Sequence, residues 1–377
     1  MTTGRGLSEA LAAAYPELDE VAAAAPDPVY LVGGAVRDLM LGRGRTDIDL
    51  VVEGPPAALA AALGAEPVAS HSRFGTMKID WNGEEIDLAA SRRERYARPG
   101  ALPRVELGAP IRTDLARRDF TVNAMAIPLA DPEDLLDPYD GRRDLRAGLL
   151  RVIHDRSFVD DPTRAIRAAR YAARFDFEPE PETAALLRAT NLDSVTAERR
   201  AEELRRLARE VTGVKGLELL AEWGLIEPRE GGLEWARAVD GILGTRSWAG
   251  EVDRPDAVLT AAGVVEPPDA RGRTDAVESA FDLAGASPSR PSEGAALAGG
   301  VDPLVLVLAR AKGAAWLDDW LEWREVTLEI SGADLAAAGI SGPAIGRGLD
   351  AALAAKLDGH ASTREDELRL ALAAAGS

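Results

Sequence analysis

The 377-residue sequence contains no cysteine and only three histidines, and this scarcity limits the metal chemistry open to the protein. Without thiols the chain can form neither disulfides nor thiolate metal sites. His71, His154 and His360 are too few to favour a histidine-rich zinc site. Any metal ion bound here is therefore expected to have carboxylate ligands.

Long apolar runs are also missing. The first twenty residues carry acidic side chains through their apolar stretch, so they fit neither a signal peptide nor a membrane anchor. With 46% hydrophobic and 28% charged residues, the chain is long enough for two or more domains with a substantial core. These features predict a soluble globular protein, located in the cytoplasm and not associated with a membrane.

The charge balance is strongly acidic, and it hides a local excess of arginine. A net charge of −19 and a pI near 4.7 would normally disfavour a nucleic-acid partner, because phosphate repels an acidic surface. Between Arg92 and Arg118, however, arginines clearly outnumber acids. Acidic surface elsewhere can coexist with this single basic track.

The order of predicted elements divides the chain into a small α/β head and a helical remainder. Residues 6–25 are predicted to form one amphipathic helix, followed by the apolar run 29–32. "DIDLVV", "MKIDW" and "EEIDLAA" have the pattern of strands. From about Arg146 the pattern is helical, except for a stretch rich in Pro, Gly, Asp and Ser over 244–300, which predicts loops or a linker.

A glycine pair follows the first apolar run. Gly33 and Gly34 let the backbone approach a ligand closely and leave N–H groups free for phosphate oxygens. The next residues predict a helix that places Arg37 one turn from its start, where a guanidinium can bind phosphate. Taken alone, the motif is more typical of a tight turn with a surface arginine.

Two aspartates make phosphate chemistry the better interpretation. Asp47 and Asp49 are predicted on one face of a strand, since side chains alternate with period two. Paired carboxylates together with substrate phosphates are the usual way to hold Mg²⁺, although two solvated acids at a strand edge would have the same spacing. Asp87, on a second predicted strand, is a candidate third ligand. The pattern favours in-line phosphoryl transfer with two metal ions.

The combined motifs resemble a known family. G-G-x-V-R-D followed by D-x-D resembles the nucleotidyltransferases of the DNA polymerase β superfamily. "RRDFTVNAMAI", "LLDPYDGRRDLRAGLLRVI", "DDPTRAIRAARYAARFDF" and "ERRAEELRRL" follow in the order of bacterial class II tRNA nucleotidyltransferases, which include poly(A) polymerases. The resemblance covers 29–206. It implies an α/β head with a small mixed sheet (1–145) and an all-α neck (146–212), body (213–300) and tail (301–377).

The same resemblance assigns roles to individual residues. Asp161 and Arg164 would read the Watson–Crick edge of CTP or ATP, while Asp160 stands where the family usually has Glu. Arg118 would bind the triphosphate, and Asp119 and Asn123 would shape the site and sense the sugar. From its spacing alone, the arginine row of the neck helix shares one helix face; its candidate nucleotide-binding members are Arg164, Arg167 and Arg170.

These observations predict a Mg²⁺-dependent enzyme that adds CMP and AMP to the tRNA 3′ end, with tRNA, CTP and ATP as partners and no protein partner indicated. Open alternatives are a CC-adding or A-adding enzyme, a poly(A) polymerase, or a non-catalytic RNA-binding relative. Residues 91–106 are predicted to form a mobile loop needed for A addition. "GISGPAIGRGL" in the tail loosely resembles a helix-hairpin-helix turn that contacts RNA phosphate.

Overall fold

The computed structural model describes residues 6–71, 75–264 and 270–376, and the chain forms two compact units, Met1–Leu225 and Ile226–Ser377. The first unit combines a sheet with helices, and the second is helical. This arrangement confirms the predicted α/β head followed by a largely helical remainder, although residues 149–150 and 178–179 of the predicted all-α neck pair as two short strands. The four-part division into head, neck, body and tail stays a prediction.

Among the residues that the structure describes, the strands all lie in the first unit. They are β1 (Val29–Val32), β2 (Ile48–Val52), β3 (Glu66–His71), β4 (Thr76–Trp81), β5 (Glu84–Ala90), β6 (Arg92–Arg95), β7 (Arg104–Leu107), β8 (Ala126–Pro128), β9 (Leu149–Leu150) and β10 (Glu178–Pro179). Six of them form a mixed sheet in the order β3-β4-β5-β2-β1-β8, in which β2 and β5 are parallel and the other neighbours are antiparallel.

Helices cover this sheet and continue beyond it. They are α1 (Leu7–Ala14), α2 (Leu18–Ala24), α3 (Gly34–Leu41), α4 (Pro56–Leu63), α5 (Ile111–Ala116), α6 (Gly141–Ala147), α7 (Ser157–Asp160), α8 (Thr163–Phe175), α9 (Pro181–Arg188), α10 (Ala197–Arg209) and α11 (Gly213–Glu222). Among the described residues, a 3-10 turn spans Thr121–Asn123. The main core of this unit joins the sheet to α8 through residues such as Phe120, Ala165 and Phe175.

Side chains along the first part of β2 alternate between the buried face of the sheet and its exposed face. Ile48 and Leu50 are buried on the core side, while Asp49 between them is exposed on the other. The parallel register pairs Asp49 with Asp87 of β5. The fold therefore brings together two carboxylates that are distant in sequence.

Two local predictions for the first unit are wrong. Residues 6–25 form two helices instead of one, because Pro16 interrupts the pattern and the buried Tyr15 turns to accept a hydrogen bond from Thr46 N at 3.0 Å. Residues 92–107 form a two-stranded hairpin of β6 and β7, where a loop was expected. Their many charged side chains hide the strand signal, and whether the hairpin moves stays a prediction.

The second unit consists of helices α12 (Gly232–Leu243), α13 (Arg254–Ala262), α14 (Ala270–Ala284), α15 (Pro291–Ala298), α16 (Pro303–Ala311), α17 (Leu317–Trp323), α18 (Gly332–Ala337), α19 (Pro343–Leu357) and α20 (Arg364–Ala375). The expectation of loops or a linker over 244–300 is therefore wrong for α13, α14 and α15, and residues 265–269 lie outside the described part. The last three helices share a separate small core around Leu335 and Ala371. Within the described residues, we find no helix whose length and apolar character would let it cross a bilayer.

Candidate active site

The glycine turn between β1 and α3 forms one side of the site. Gly33 has φ 66° and ψ −125°, a conformation open to glycine, and it caps the N-terminus of α3. A Cβ atom on Gly33 would come within 2.9 Å of Arg118 Nη1. The missing side chain thus lets a guanidinium approach the backbone of the turn.

The predicted metal carboxylates Asp47, Asp49 and Asp87 differ in their surroundings. Asp49 is exposed to solvent, yet the protein around it raises its pKa to about 6, first through desolvation and then through the negative charge of Asp87. Asp47 directly precedes β2 and is exposed. Asp87 lies 3.7 Å from Lys78 Nζ, so a lysine already offsets part of its charge.

The donor set fits a divalent cation whose remaining ligands come from the substrate. Across the described stretches 6–71, 75–264 and 270–376, no three His, Asp or Glu side chains form a group able to hold a metal ion alone. Desolvation, then the negative charge of Asp87 and, more weakly, that of Asp47 raise the pKa of Asp49, and a cation that neutralises these carboxylates would stabilise them. Mg²⁺ is commonly bound by one or two carboxylates plus substrate phosphates, which matches Asp47 and Asp49.

A cavity of about 460 Å³ opens above Asp49. It is lined by Gly33, Gly34, Asp49, Arg92, Glu94, Tyr96, Leu102, Pro103, Arg117, Arg118, Asp119, Asn123, Asp161, Arg164, Arg167, Tyr171 and Arg199. A neighbouring cavity of about 400 Å³ shares Asp49 and Arg118 and also contains Lys78 and Asp87. The carboxylate of Asp49 is therefore reachable from two sides.

Arg118 is held in place by an acid that the sequence analysis did not single out. Asp114 is fully buried and accepts hydrogen bonds from Arg117 Nε at 2.9 Å and Arg118 Nη2 at 3.2 Å. Burial lowers the pKa of Arg118, against the opposing charge of Asp114. The two arginines border the cavity as a concentrated positive charge suited to a polyphosphate.

Asp119, Asn123 and Arg167 form a buried network on the next wall. Asn123 Nδ2 donates to Asp119 Oδ1 at 3.1 Å, and Arg167 Nη2 donates to Asp119 Oδ2 at 2.5 Å. Desolvation acts to raise the pKa of Asp119, but the charge of Arg167 and the bond from Asn123 outweigh it and the pKa is lowered. Asp119 therefore remains ionised and fixed in orientation.

Asp161 and Arg164 lie together at the start of α8. Arg164 is 4% exposed and donates to Ser157 Oγ at 2.8 Å and to the Arg117 carbonyl at 2.6 Å. Asp161 Oδ1 accepts from Thr163 Oγ1 at 2.7 Å and from Arg199 Nη2 at 3.0 Å. An acceptor and a donor thus face the cavity side by side.

Arg199 of α10 is a site residue that the sequence analysis missed. Besides pairing with Asp161, it donates through Nη1 to the Gly100 carbonyl at 2.7 Å. Its signal was present in the motif "ERRAEELRRL", but nothing local distinguishes it from the arginines that follow. Only the packing of α10 against α8 separates them.

The β6–β7 hairpin supplies a further wall of the cavity. Glu94 accepts from Arg117 Nη1 at 3.0 Å and from the Tyr96 hydroxyl at 3.0 Å. Desolvation and then the charge of Glu94 raise the pKa of Tyr96, so its phenol stays protonated. At the tip, Gly100 has φ 68°, and a Cβ there would lie 2.4 Å from the Ser194 carbonyl oxygen. The hairpin is thus attached at its base and at its tip.

Some predicted residues lie outside the cavity lining as the described residues define it. Arg37 is 4% exposed and Arg170 stacks on Tyr171 behind the lining. Asp87 borders the neighbouring cavity, and Asp47 lines neither of these two cavities as the described residues define them. Asp160 pairs with Arg156 at 2.9 Å.

Comparison with known proteins was made by sequence and by structure. Residues 29–151 match the family described as the Poly A polymerase head domain. An A-adding tRNA nucleotidyltransferase of Halalkalibacterium halodurans is 42% identical over 221 residues, which cover 55% of this chain and 51% of that protein. A CC-adding tRNA nucleotidyltransferase of Deinococcus radiodurans is 35% identical over 368 residues, which cover 93% of this chain and 90% of that protein. The chain therefore spans about half the length of the A-adding relative and most of the CC-adding one.

Solved structures match over nearly the whole chain. A CCA-adding enzyme in its apo form II superposes with a TM-score of 0.82 at 30% identity, covering 98% of this chain and 99% of the other. The Thermotoga maritima CCA-adding enzyme complexed with tRNA superposes with a TM-score of 0.78 at 29% identity, covering 98% of both chains.

Proposed function

The chain belongs to the class II tRNA nucleotidyltransferase family, and from this premise we propose that it adds CMP and AMP to the tRNA 3′ end. CTP and ATP are the nucleotide substrates, and pyrophosphate is the product. One observation carries the proposal: a single cavity is lined by a carboxylate suited to a metal, arginines suited to a triphosphate, and an acid–arginine pair suited to a base edge.

The reacting end of the nucleotide is assigned to the head. Asp47 and Asp49 would hold Mg²⁺, which when bound lowers the charge of the phosphates and the pKa of the attacking hydroxyl. Gly33, Gly34 and Arg118 would bind the triphosphate through backbone N–H groups and a guanidinium. The 3′-hydroxyl of the RNA attacks the α-phosphate, its proton leaves to solvent, and pyrophosphate departs from the opposite side, without a covalent enzyme intermediate.

The base is assigned to Asp161 and Arg164. Cytosine and adenine each present an amino donor beside a ring-nitrogen acceptor, whereas uracil and guanine present a carbonyl acceptor beside a ring N–H donor. A carboxylate accepts from the amino group, and a guanidinium donates to the ring nitrogen. The pair therefore suits CTP and ATP and leaves unmatched donors and acceptors opposite UTP and GTP.

A partial activity is the alternative to full CCA addition. Similarity to the CC-adding enzyme over 90% of that protein's length favours addition of CC only, and the 42% identity to an A-adding enzyme favours addition of the terminal A. Full addition is supported by similarity to CCA-adding structures along 98% of this chain. We also propose that the protein is located in the cytoplasm.

An incorporation assay distinguishes these activities. Purified protein with Mg²⁺, CTP and ATP, one of the two nucleotides being labelled, is offered tRNA ending before CCA, after C, or after CC. Full addition extends all three substrates to CCA, whereas arrest after CC, or activity on the CC-ended tRNA alone, would replace it with a partial activity. No incorporation on any substrate would favour a non-catalytic RNA-binding relative.

A further inference from the structure

Arg37 of the glycine motif is buried behind the cavity, at the junction of α3 with α8. Its side chain is 5% exposed. Nε donates to Asp38 Oδ1 at 2.9 Å, and the guanidinium carbon lies 4.2 Å from the centroid of the Phe175 ring. A guanidinium with a carboxylate partner and an aromatic face is satisfied inside the protein and is not presented to a phosphate in the cavity.

A further contact of Arg37 reaches the cavity residue Asn123. Arg37 Nη1 donates to Asn123 Oδ1 at 2.7 Å, and on its other side Asn123 Nδ2 donates to Asp119 Oδ1. An arginine can only donate and an ionised aspartate can only accept, so together they fix which end of the amide faces each partner. The nitrogen has two N–H groups, of which Asp119 takes one.

Fixing the amide sets the polarity of the cavity wall. Asn123 lines the cavity and is 5% exposed. In the orientation that Arg37 and Asp119 fix, its amide would offer the second N–H to a ligand there. A reversed amide would offer a carbonyl oxygen instead. A sugar hydroxyl that accepts a hydrogen bond matches the first arrangement and loses that bond in the second.

We infer that Arg37 is a positioning residue which orients Asn123 and thereby gives the site its preference for ribose over deoxyribose. This inference rests on the proposed function for the assignment of Asn123 to the sugar. It moves Arg37 from phosphate binding to sugar selection, although Arg37 touches no substrate atom. The link runs from Arg37 through the side chain of Asn123 to the 2′-hydroxyl.

The test compares affinities for CTP and dCTP by calorimetry in the wild type and in Arg37→Met. Methionine keeps an apolar stem against Phe175 but cannot donate to Asn123. The CTP-over-dCTP preference should fall about tenfold, as expected for one hydrogen bond. Arg37→Lys, which keeps a charge and a donor, should restore part of it. The preference for CTP over UTP, assigned to Asp161 and Arg164, should not change.

Arg43→Met is the matched control, since the Arg43 guanidinium lies 4.6 Å from the same Phe175 ring. It should leave the sugar preference intact. An unchanged CTP-over-dCTP ratio in folded Arg37→Met, or an equal fall in Arg43→Met, overturns the inference. Because binding is measured, the result does not depend on catalysis: absence of incorporation by the wild type would contradict the proposed function, while the affinity ratios still decide the role of Arg37.

Discussion

At the scale of single residues, Asp49 shows how an active site can work against stability. Its pKa of about 6 stands above the ordinary carboxyl value of 3.8, so the native state holds this proton more tightly than the unfolded chain does. As pH rises between these two values, the unfolded chain ionises first and the native state loses stability. Above about 6 the loss is complete. A bound cation would remove this cost by neutralising the carboxylate.

Asp49→Asn should therefore abolish incorporation but raise the melting temperature relative to wild type at pH 7.5 in the absence of Mg²⁺. At pH 4 native wild type carries a protonated, neutral Asp49, and the variant carries a neutral Asn. The difference between their melting temperatures should therefore shrink. Thermal unfolding followed by circular dichroism at the two pH values measures it. A variant less stable than wild type at pH 7.5, or one with normal turnover, contradicts this account of Asp49.

Base choice should depend on Arg199 as well as on the residues that face the base. Arg199→Met removes one donor to Asp161, so the carboxylate loses part of its fixed orientation. The kcat/KM preference for CTP over UTP should fall about threefold. In Arg164→Met the same preference should fall further, by about 1–3 kcal/mol, as expected for a lost bidentate contact.

Arg200→Met serves as the matched control on the same helix, because Arg200 Nη1 is directed to the Leu192 carbonyl at 3.5 Å. Its base preference should equal that of the wild type. Equal losses in the Arg199 and Arg200 variants would reduce the role of Arg199 to general stabilisation of α10.

At the scale of elements, helices and strands are predictable from the sequence where the apolar period and the signals at both ends of the segment indicate the same element. β2, β5, α3 and α8 were predicted because apolar residues repeat with the correct period between turn or capping signals. In the second unit, Pro255 and Pro291 were interpreted as breakers, but each occupies the first turn of a helix, where its missing N–H costs nothing. Proline marks a helix start as readily as a loop.

The hairpin and the site contacts were harder to predict for a different reason. β6 has no apolar alternation, and its position depends on Glu94 meeting Arg117, which is distant in sequence. A sequence motif predicts Asp161 and Arg164 as site residues. No motif predicts Asp114 or Arg199, whose roles come from their pairing with Arg118 and Asp161 in the folded protein. Local patterns carry no information about such partners.

The hairpin tip offers a direct test at this scale. Gly100→Ala combines a left-handed backbone with a clash against Ser194, whereas Gly108→Ala, at φ 77° and with nothing within 4 Å of its Cβ, carries the backbone cost alone. Both should lose about 1–2 kcal/mol of stability from the backbone. Gly100→Ala should in addition weaken CTP binding, measured by calorimetry. Equal CTP affinities in the two variants would show that tip docking does not shape the cavity.

At the scale of the whole molecule, the proposed function raises the question of how an acidic protein would hold an acidic RNA. Acids outnumber bases in both units, so local arginine clusters must supply the attraction. Helices α18 to α20 have their own core and contain Gly342 at φ 61° as the N-cap of α19. The contact between this tail and the RNA backbone stays a prediction. Because the last three helices have their own core, a truncation that removes them can test it.

Removing residues from 328 onward should weaken tRNA binding while leaving CTP binding unchanged, because the cavity residues all lie in the first unit. For the full chain, tRNA affinity should fall steeply as salt rises from about 50 to 200 mM, as expected when arginines release phosphate counterions. Filter binding at several salt concentrations measures both. Full tRNA affinity in a folded truncation, or affinity independent of salt, would show that this view of the tail and of the arginines is wrong.

The attachment of the hairpin at Gly100 also limits how this part of the gene can vary in length. Exposed loops usually tolerate added residues, since their ends stay in place while the tip extends into solvent. Here the segment between β6 and β7 must place one carbonyl 2.7 Å from Arg199 and one bare Cα against Ser194. An inserted residue would shift that carbonyl by about 3 Å along the chain, roughly the rise of an extended residue, and uncouple the tip from α10. The segment is therefore a spacer of fixed length, and insertions for tags or reporters belong elsewhere.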